Sequence, residues 1–240
     1  MRPDGPVADA GPRASWLSRQ PTRSPRSRSR KASLIAASAI AVVAALAVAA
    51  GLDVNSSGAS TPGLAAIVLR PSQVGPGYSS HVVPHGRTVV GQATLDLCGA
   101  SFPSEAQRTA RLQVEYVHLQ PAPTLSNEVV SYRPGGTQEA IAELNHAVKT
   151  CPSTVIPVGS TSPVTEHLTR LVDPRLLPEY VAVEIDAHAF VNGKEQAATI
   201  VTIYQIHRQI LSGIYALGTD MHSTRQLALR AAEQSAHELG

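Results

Sequence analysis

The sequence predicts an α+β fold: an antiparallel β-sheet packed with helices, preceded by one N-terminal transmembrane helix. Three patterns carry that prediction. Ser33 to Leu52 is a run of twenty residues without a charge, and as a helix it is roughly 30 Å long, the thickness of a bilayer's hydrocarbon core. Val181, Val183, Ile185, Ala187, Ala189 and Val191 alternate with polar residues, which is the period of a strand. Leu227, Ala228, Ala231, Ala232, Ser235 and Leu239 recur at helical spacing.

Residues 1–31 read as a disordered basic cytoplasmic tail, because Arg, Ser and Pro dominate and little apolar surface exists to bury. Their 8 basic residues face only Asp4 and Asp9, a net charge of +6, against −4 for the rest of a chain that totals +2. Lys and Arg stay on the inner side of a membrane, so the C-terminal domain is expected outside the cytoplasm. The run RSPRSRSRK also suits anionic lipid head groups or nucleic acid, but setting topology accounts for it alone.

The membrane segment, 32–52, is half alanine, so its favourable insertion terms come from Leu34, Ile35, Ile40, Val42, Val43, Leu46 and Val48. Two readings stay open. A retained signal anchor fits the long leader and the twenty-residue run; a cleaved signal peptide fits the small-residue pattern Ala47-Val48-Ala49 and would release a secreted domain. No cysteine follows the run, which argues against a lipid anchor. Ala37, Ala41, Ala45 and Ala49 form a small-residue ridge through which two membrane helices would pair as a homodimer, although so alanine-rich a segment produces such a ridge by chance.

Residues 53–63, rich in Ser and Gly, are a linker. The domain is expected over 64–240, long enough for a sizeable core. Leu64 to Leu69 is a short apolar run, and VGPGY at 74–78 is a turn cluster. From there to Leu97 the pattern is loop and short strand. Pro103, Ser104 and Glu105 open a short helix, with proline where its missing N–H is harmless. Leu112 to Leu119 and Glu128 to Tyr132 are strands. Thr137 is the expected cap of a helix carrying Ile141, Leu144, Val148 and Cys151 on one face and stopped by Pro152.

Beyond Tyr180 the long strand runs into Asn192-Gly193, the residue pair of a tight type I′ hairpin turn. Counting back pairs Ile185 with Ile200, Val183 with Thr202 and Val181 with Tyr204, so the apolar faces agree. A third strand, Ile210 to Leu217, and a helix from about Thr224 to Leu239 complete a domain whose helices are expected on one face of the sheet.

Cys98 and Cys151 are the only cysteines, both in the portion placed outside. In an oxidising compartment a lone pair is expected to form a disulfide; a catalytic thiol or metal pair is the competing reading, without C-x-x-C spacing to support it.

The stretches LCGASFPSEAQRTARLQVEY, SNEVVSYRPGG and TCP, with the opening IVLRPSQVGPGY, resemble actinobacterial membrane-anchored sensor-domain proteins. These are related in plan to the extracytoplasmic domain of PknH-type serine/threonine kinases. The likeness covers roughly residues 64 to 240. It implies a sheet packed with helices, a cysteine bridge and a surface cleft for an unknown ligand. Two departures stand out: the kinase sensors carry more cysteines, and this chain has no glycine-rich phosphate loop, H-R-D or D-F-G motif. A sensing output is therefore expected to pass through a partner.

Candidate chemistry is sparse. Glu184, Asp186 and His188 share the face of their strand opposite the apolar one, which invites a metal or acid/base reading, but their cross-strand neighbours Val201, Thr199 and Ala197 are not ligands. The face is expected to be solvated. His81 and His85 have H-x-x-x-H spacing in a Pro/Gly loop with no adjacent glutamate. No G-x-S-x-G elbow places a nucleophile. The acidic balance and few aromatics of the outer domain disfavour nucleic acid. The expected protein is thus a single-pass, non-catalytic extracytoplasmic ligand-binding module without cofactor, metal or assignable binding residues. An envelope protein–protein interaction module and a secreted hydrolase are the alternatives.

Overall fold

The computed structural model describes residues 62–120, 122–156, 163–191 and 194–240. The predicted tail, membrane segment, most of the linker and the Asn192-Gly193 turn lie outside the described residues, among which no helix is long and apolar enough to cross a membrane. In chain order the elements are α1 (Pro62–Ile67), α2 (Pro71–Val74), β1 (Tyr78–Val82), a 3-10 turn at Pro103–Gln107, β2 (Arg108–His118) and β3 (Thr124–Tyr132). They continue with α3 (Gly136–Thr150), β4 (Ser153–Ile156), β5 (Val164–Arg170), β6 (Tyr180–Val191), β7 (Lys194–His207), β8 (Ile210–Gly218) and α4 (Met221–Leu239).

The strands form one sheet in the order β1-β2-β3-β8-β7-β6-β5-β4, antiparallel throughout. Two meanders build it: β1 to β3 from one edge, then, after α3, β4 to β8 from the other, so that β8 arrives beside β3. The hairpin register is the one the apolar pattern predicts, with Ile185 opposite Ile200, Val183 opposite Thr202 and Val181 opposite Tyr204. β4 and β5 were not anticipated; their Ser/Thr-rich, largely exposed residues give no alternating apolar signal.

Helices cover both faces of the sheet, not one. On the first face α4, with α1 and α2 beside it, closes over Leu112, Val114, Val129, Ile203 and Ile214. On the second, α3 and the loop before the 3-10 turn close over Val130, Tyr132, Val181, Val183, Tyr204 and Leu211. The reason lies in β7, where Val201 to Ile206 are all buried: apolar and uncharged residues fall on both sides, and two exposed apolar faces cannot be left to water.

α4 buries Thr224, Leu227, Ala228, Ala231, Ala232, Ser235 and Leu239, the expected stripe with Thr224 added. Its small residues let the backbone approach the sheet closely enough for Ser235 Oγ to meet Ser212 Oγ at 2.7 Å and for Gln205 Nε2 to donate to Ala232 O at 2.9 Å. The helix starts earlier than expected, at Met221, because the Asp220 carboxylate accepts from Ser223 N–H at 2.7 Å and caps it. In α3 the capping residue is Gly135, left-handed at φ 87°, in place of Thr137; the Thr137 hydroxyl instead donates to Arg208 O at 2.7 Å.

Candidate functional site

Between β1 and the 3-10 turn runs Val83 to Phe102, a stretch with no strand or α-helix. Connections of about this length inside a compact domain are uncommon and tend to be functional. This one lies as a strap on the second face, burying Thr94, Leu95, Leu97 and Phe102. Its outer turn is exposed, with Val90 at 82%.

Two arginines of β2 fasten the strap. Arg108 Nη2 donates to Val89 O at 2.9 Å and Gln92 O at 2.5 Å, Nη1 reaches Thr94 Oγ1 at 2.8 Å, and the guanidinium pairs with Glu105 at 2.9 Å. Glu105 in turn accepts from the N–H groups of Thr94 and Leu95, at 3.0 and 3.1 Å. Arg111 pairs with Glu128 of β3 and donates to His85 O at 3.0 Å. Glu128, 1% exposed, also accepts from Thr94 Oγ1 at 2.7 Å. Buried charges persist only when paired and hydrogen-bonded, and these four groups satisfy both conditions.

Two tyrosines complete the seat. Tyr204 and Tyr215 stand edge to face, ring centroids 5.7 Å apart, and Tyr215 Oη donates to Thr94 O at 2.8 Å while lying 3.2 Å from Glu128 Oε2. Burial pushes both phenols up, so they stay protonated donors at any physiological pH. Further along, burial raises the carboxyls of Asp96 on the strap and Glu166 on β5, and the Asp96 charge adds to the rise at Glu166. Burial also raises Glu105, against the opposing pull of the two N–H groups and Arg108.

The predicted cysteine pair closes the strap's far end. Cys98 and Cys151, the latter at the C-terminus of α3, place their sulfurs 2.18 Å apart with Cα atoms 6.3 Å apart, a disulfide-compatible geometry. Cys98 itself is left-handed, at φ 61°.

The other singled-out residues are dispersed. Glu184 is not on a solvated face: it is 5% exposed beneath α4, with Arg225 Nη2 donating to it at 2.5 Å. The sequence missed this because the covering helix lies forty residues on. Asp186 is exposed, and His188 Nδ1 meets Glu195 at 3.1 Å. Their cross-strand neighbours are Val201, Thr199 and Ala197, as counted. His81, on β1, pairs with Glu115 at 3.1 Å, whereas His85 sits in a left-handed turn and offers Arg111 its carbonyl. Among the described residues no three His, Cys, Asp or Glu side chains are grouped to hold a metal. Arg108, Arg111 and Glu128 were not singled out, charges inside strand patterns being their only signal, and Glu105 was read only as part of a helix start.

A strap pinned across one face of an antiparallel sheet with helices on both sides defines an α+β domain. Among solved structures, the extracellular domain of PknH from Mycobacterium tuberculosis is similar, with 12% identity, a TM-score of 0.46, and coverage of 71% of this chain and 93% of that one. No protein-family model matches the chain. No curated protein matches it either.

Proposed function

We propose that the chain is a non-catalytic extracytoplasmic sensor-like module, held at the membrane by residues 32–52, whose strap 83–102 carries ligand recognition. The cysteine pair is the observation behind this reading. Two lone cysteines distant in sequence are brought to bonding distance at the strap's end, where a disulfide in an oxidising compartment would lock it. The basic leader gives the matching orientation.

The test is topology mapping of the full chain in cells. Reporter fusions at the C-terminus are expected to be active only outside the cytoplasm, the protein to fractionate with membranes, and Cys98 and Cys151 to resist a thiol reagent until a reductant is added. A cytoplasmic C-terminus or two free thiols would reject the reading, and release of the protein into the medium would favour the cleaved, secreted form.

A second reading, an envelope protein–protein module, draws on Val90, which the Arg108 clamp holds 82% exposed at the strap's crest. Val90→Asp is then expected to abolish capture of a partner while leaving the fold intact. Pairing of two copies through the alanine ridge belongs with this reading and predicts crosslinked dimers in membranes.

A further inference from the structure

The strap is fastened unevenly. Up to Leu95 it is tied to the fold at one residue after another: Gly86 O accepts from Gln113 N–H at 2.9 Å, Arg108 holds Val89 and Gln92, and Glu105, Glu128 and Tyr215 hold Thr94. Beyond Leu95 that pattern stops. Among the described residues, the only backbone group of 96–101 that hydrogen-bonds to the rest of the fold is Asp96 N–H, which reaches Tyr204 Oη at 3.5 Å. The bond from Ala100 N–H to Leu97 O, 3.0 Å, is internal to the segment. What else holds these residues down is the side chain of Leu97, 1% exposed, and the Cys98–Cys151 bridge.

The bridge holds a conformation that the chain resists. Cys98 is left-handed at φ 61° and so is Gly99, also at 61°; the conformation is ordinary for the glycine and unfavourable for a residue with a Cβ. Asp96 adds a push, because its charge bears on the Glu166 carboxyl of β5. The Cys151 end is the firmer one, with Cys151 N–H donating to Ala147 O at 3.0 Å and Pro152 O accepting from Leu168 N–H at 3.0 Å. Both cysteines are half-buried, so an attacking thiolate has access to the sulfurs. We propose that the bridge is a redox latch: a dithiol reductant cleaves it and residues 96–101 lift from the second face, while 83–95 stay clamped. One thiolate of the dithiol attacks a bridge sulfur and its second thiol completes the exchange. Two electrons and two protons pass to the pair, leaving two cysteine thiols and the dithiol as a disulfide. Lifting uncovers part of the apolar cluster that Leu97 closes, and so changes what the strap binds. That consequence rests on the reading of the strap as the recognition element; the opening itself does not.

Hydrogen exchange of the full chain in detergent, read by mass spectrometry before and after excess dithiothreitol, tests the latch. Peptides over 96–101 are expected to exchange at least about tenfold faster after reduction, more than any change at β4, while 83–94 and the buried strands β3 and β8 stay protected over the same interval. Reoxidation is expected to restore the protection, and Cys98→Ser/Cys151→Ser to match the reduced parent without responding to the reductant. No gain at 96–101 overturns the proposal. So does a gain that comes only together with 83–94 or with β3 and β8, because the bridge would then be a staple of the whole fold. Thiol counting before reduction separates the two failures: free thiols reject the sensor reading along with the latch, whereas an intact bridge without local opening rejects the latch alone.

Discussion

Gly213 sits where no side chain fits. A Cβ there would lie 2.7 Å from Tyr215 Oη, and that phenol cannot swing aside, because it is pinned to Thr94 O beneath the strap. Gly213→Ala is expected to destabilise the protein by about 1–3 kcal/mol, read as a lower urea midpoint with an unchanged slope. Asp220 acts at the same scale through its charge. The Ser223 N–H holds its carboxyl below the usual Asp range, so the cap contributes stability above the unfolded pKa, about 4, and loses it as pH falls through the lowered folded value. Asp220→Ala should therefore melt earlier than the parent at pH 7, with the deficit shrinking in acid; a pH-independent deficit would mean the carboxylate is not the cap. Neither residue was legible as important in the sequence. A glycine in a strand and an aspartate before a helix become informative only once Tyr215 and the helix start are placed.

At the scale of elements, the legible parts are those whose burial is periodic. β6 to β8 and α4 show their faces as alternation or as a stripe, and the hairpin register follows by counting. The strap was illegible because its anchors are remote: Thr94 meets Glu128 and Tyr215 meets Thr94 across 34 and 121 residues, and such contacts leave no local period. The cysteines were the exception, since two lone thiols in a portion placed outside suggest each other. Closing their 53-residue separation would stabilise the domain by up to about 4 kcal/mol in the chain-entropy model. The double variant Cys98→Ser/Cys151→Ser is accordingly expected to unfold at lower urea and to gain nothing further from added reductant. Parent protein insensitive to reductant would mean that no bridge forms. The strap also carries an electrostatic cost. Glu166 is raised by burial and by Asp96, so its contribution is favourable below the unfolded value and is lost as pH rises through the folded one. Glu166→Gln should thus raise the thermal midpoint at pH 7 and give no advantage near pH 4.

For the whole molecule, the seam between β3 and β8 is decisive, because it alone joins the two meanders. Its residues Val129, Val130, Leu211 and Ile214 are fully buried, with α4 on one side and α3 on the other. The outer strands differ in kind. β1 and β4 span only 5 and 4 residues, follow closely on Pro76 and Pro152, and expose most of their side chains. Short, proline-bracketed edges resist pairing with another chain, at the cost of weak local protection. Hydrogen exchange should rank the strands accordingly. Amides of Val129, Val130, Leu211 and Ile214 are expected to exchange last, with global unfolding, and those of Tyr78–Val82 and Ser153–Ile156 first. Because Cys151 lies two residues before the start of β4, reduction should loosen the β4 edge while leaving β1 unchanged. An edge as protected as the seam would contradict this account, since it would mean that the sheet opens as one unit and that its stability does not radiate from the place where the two meanders meet.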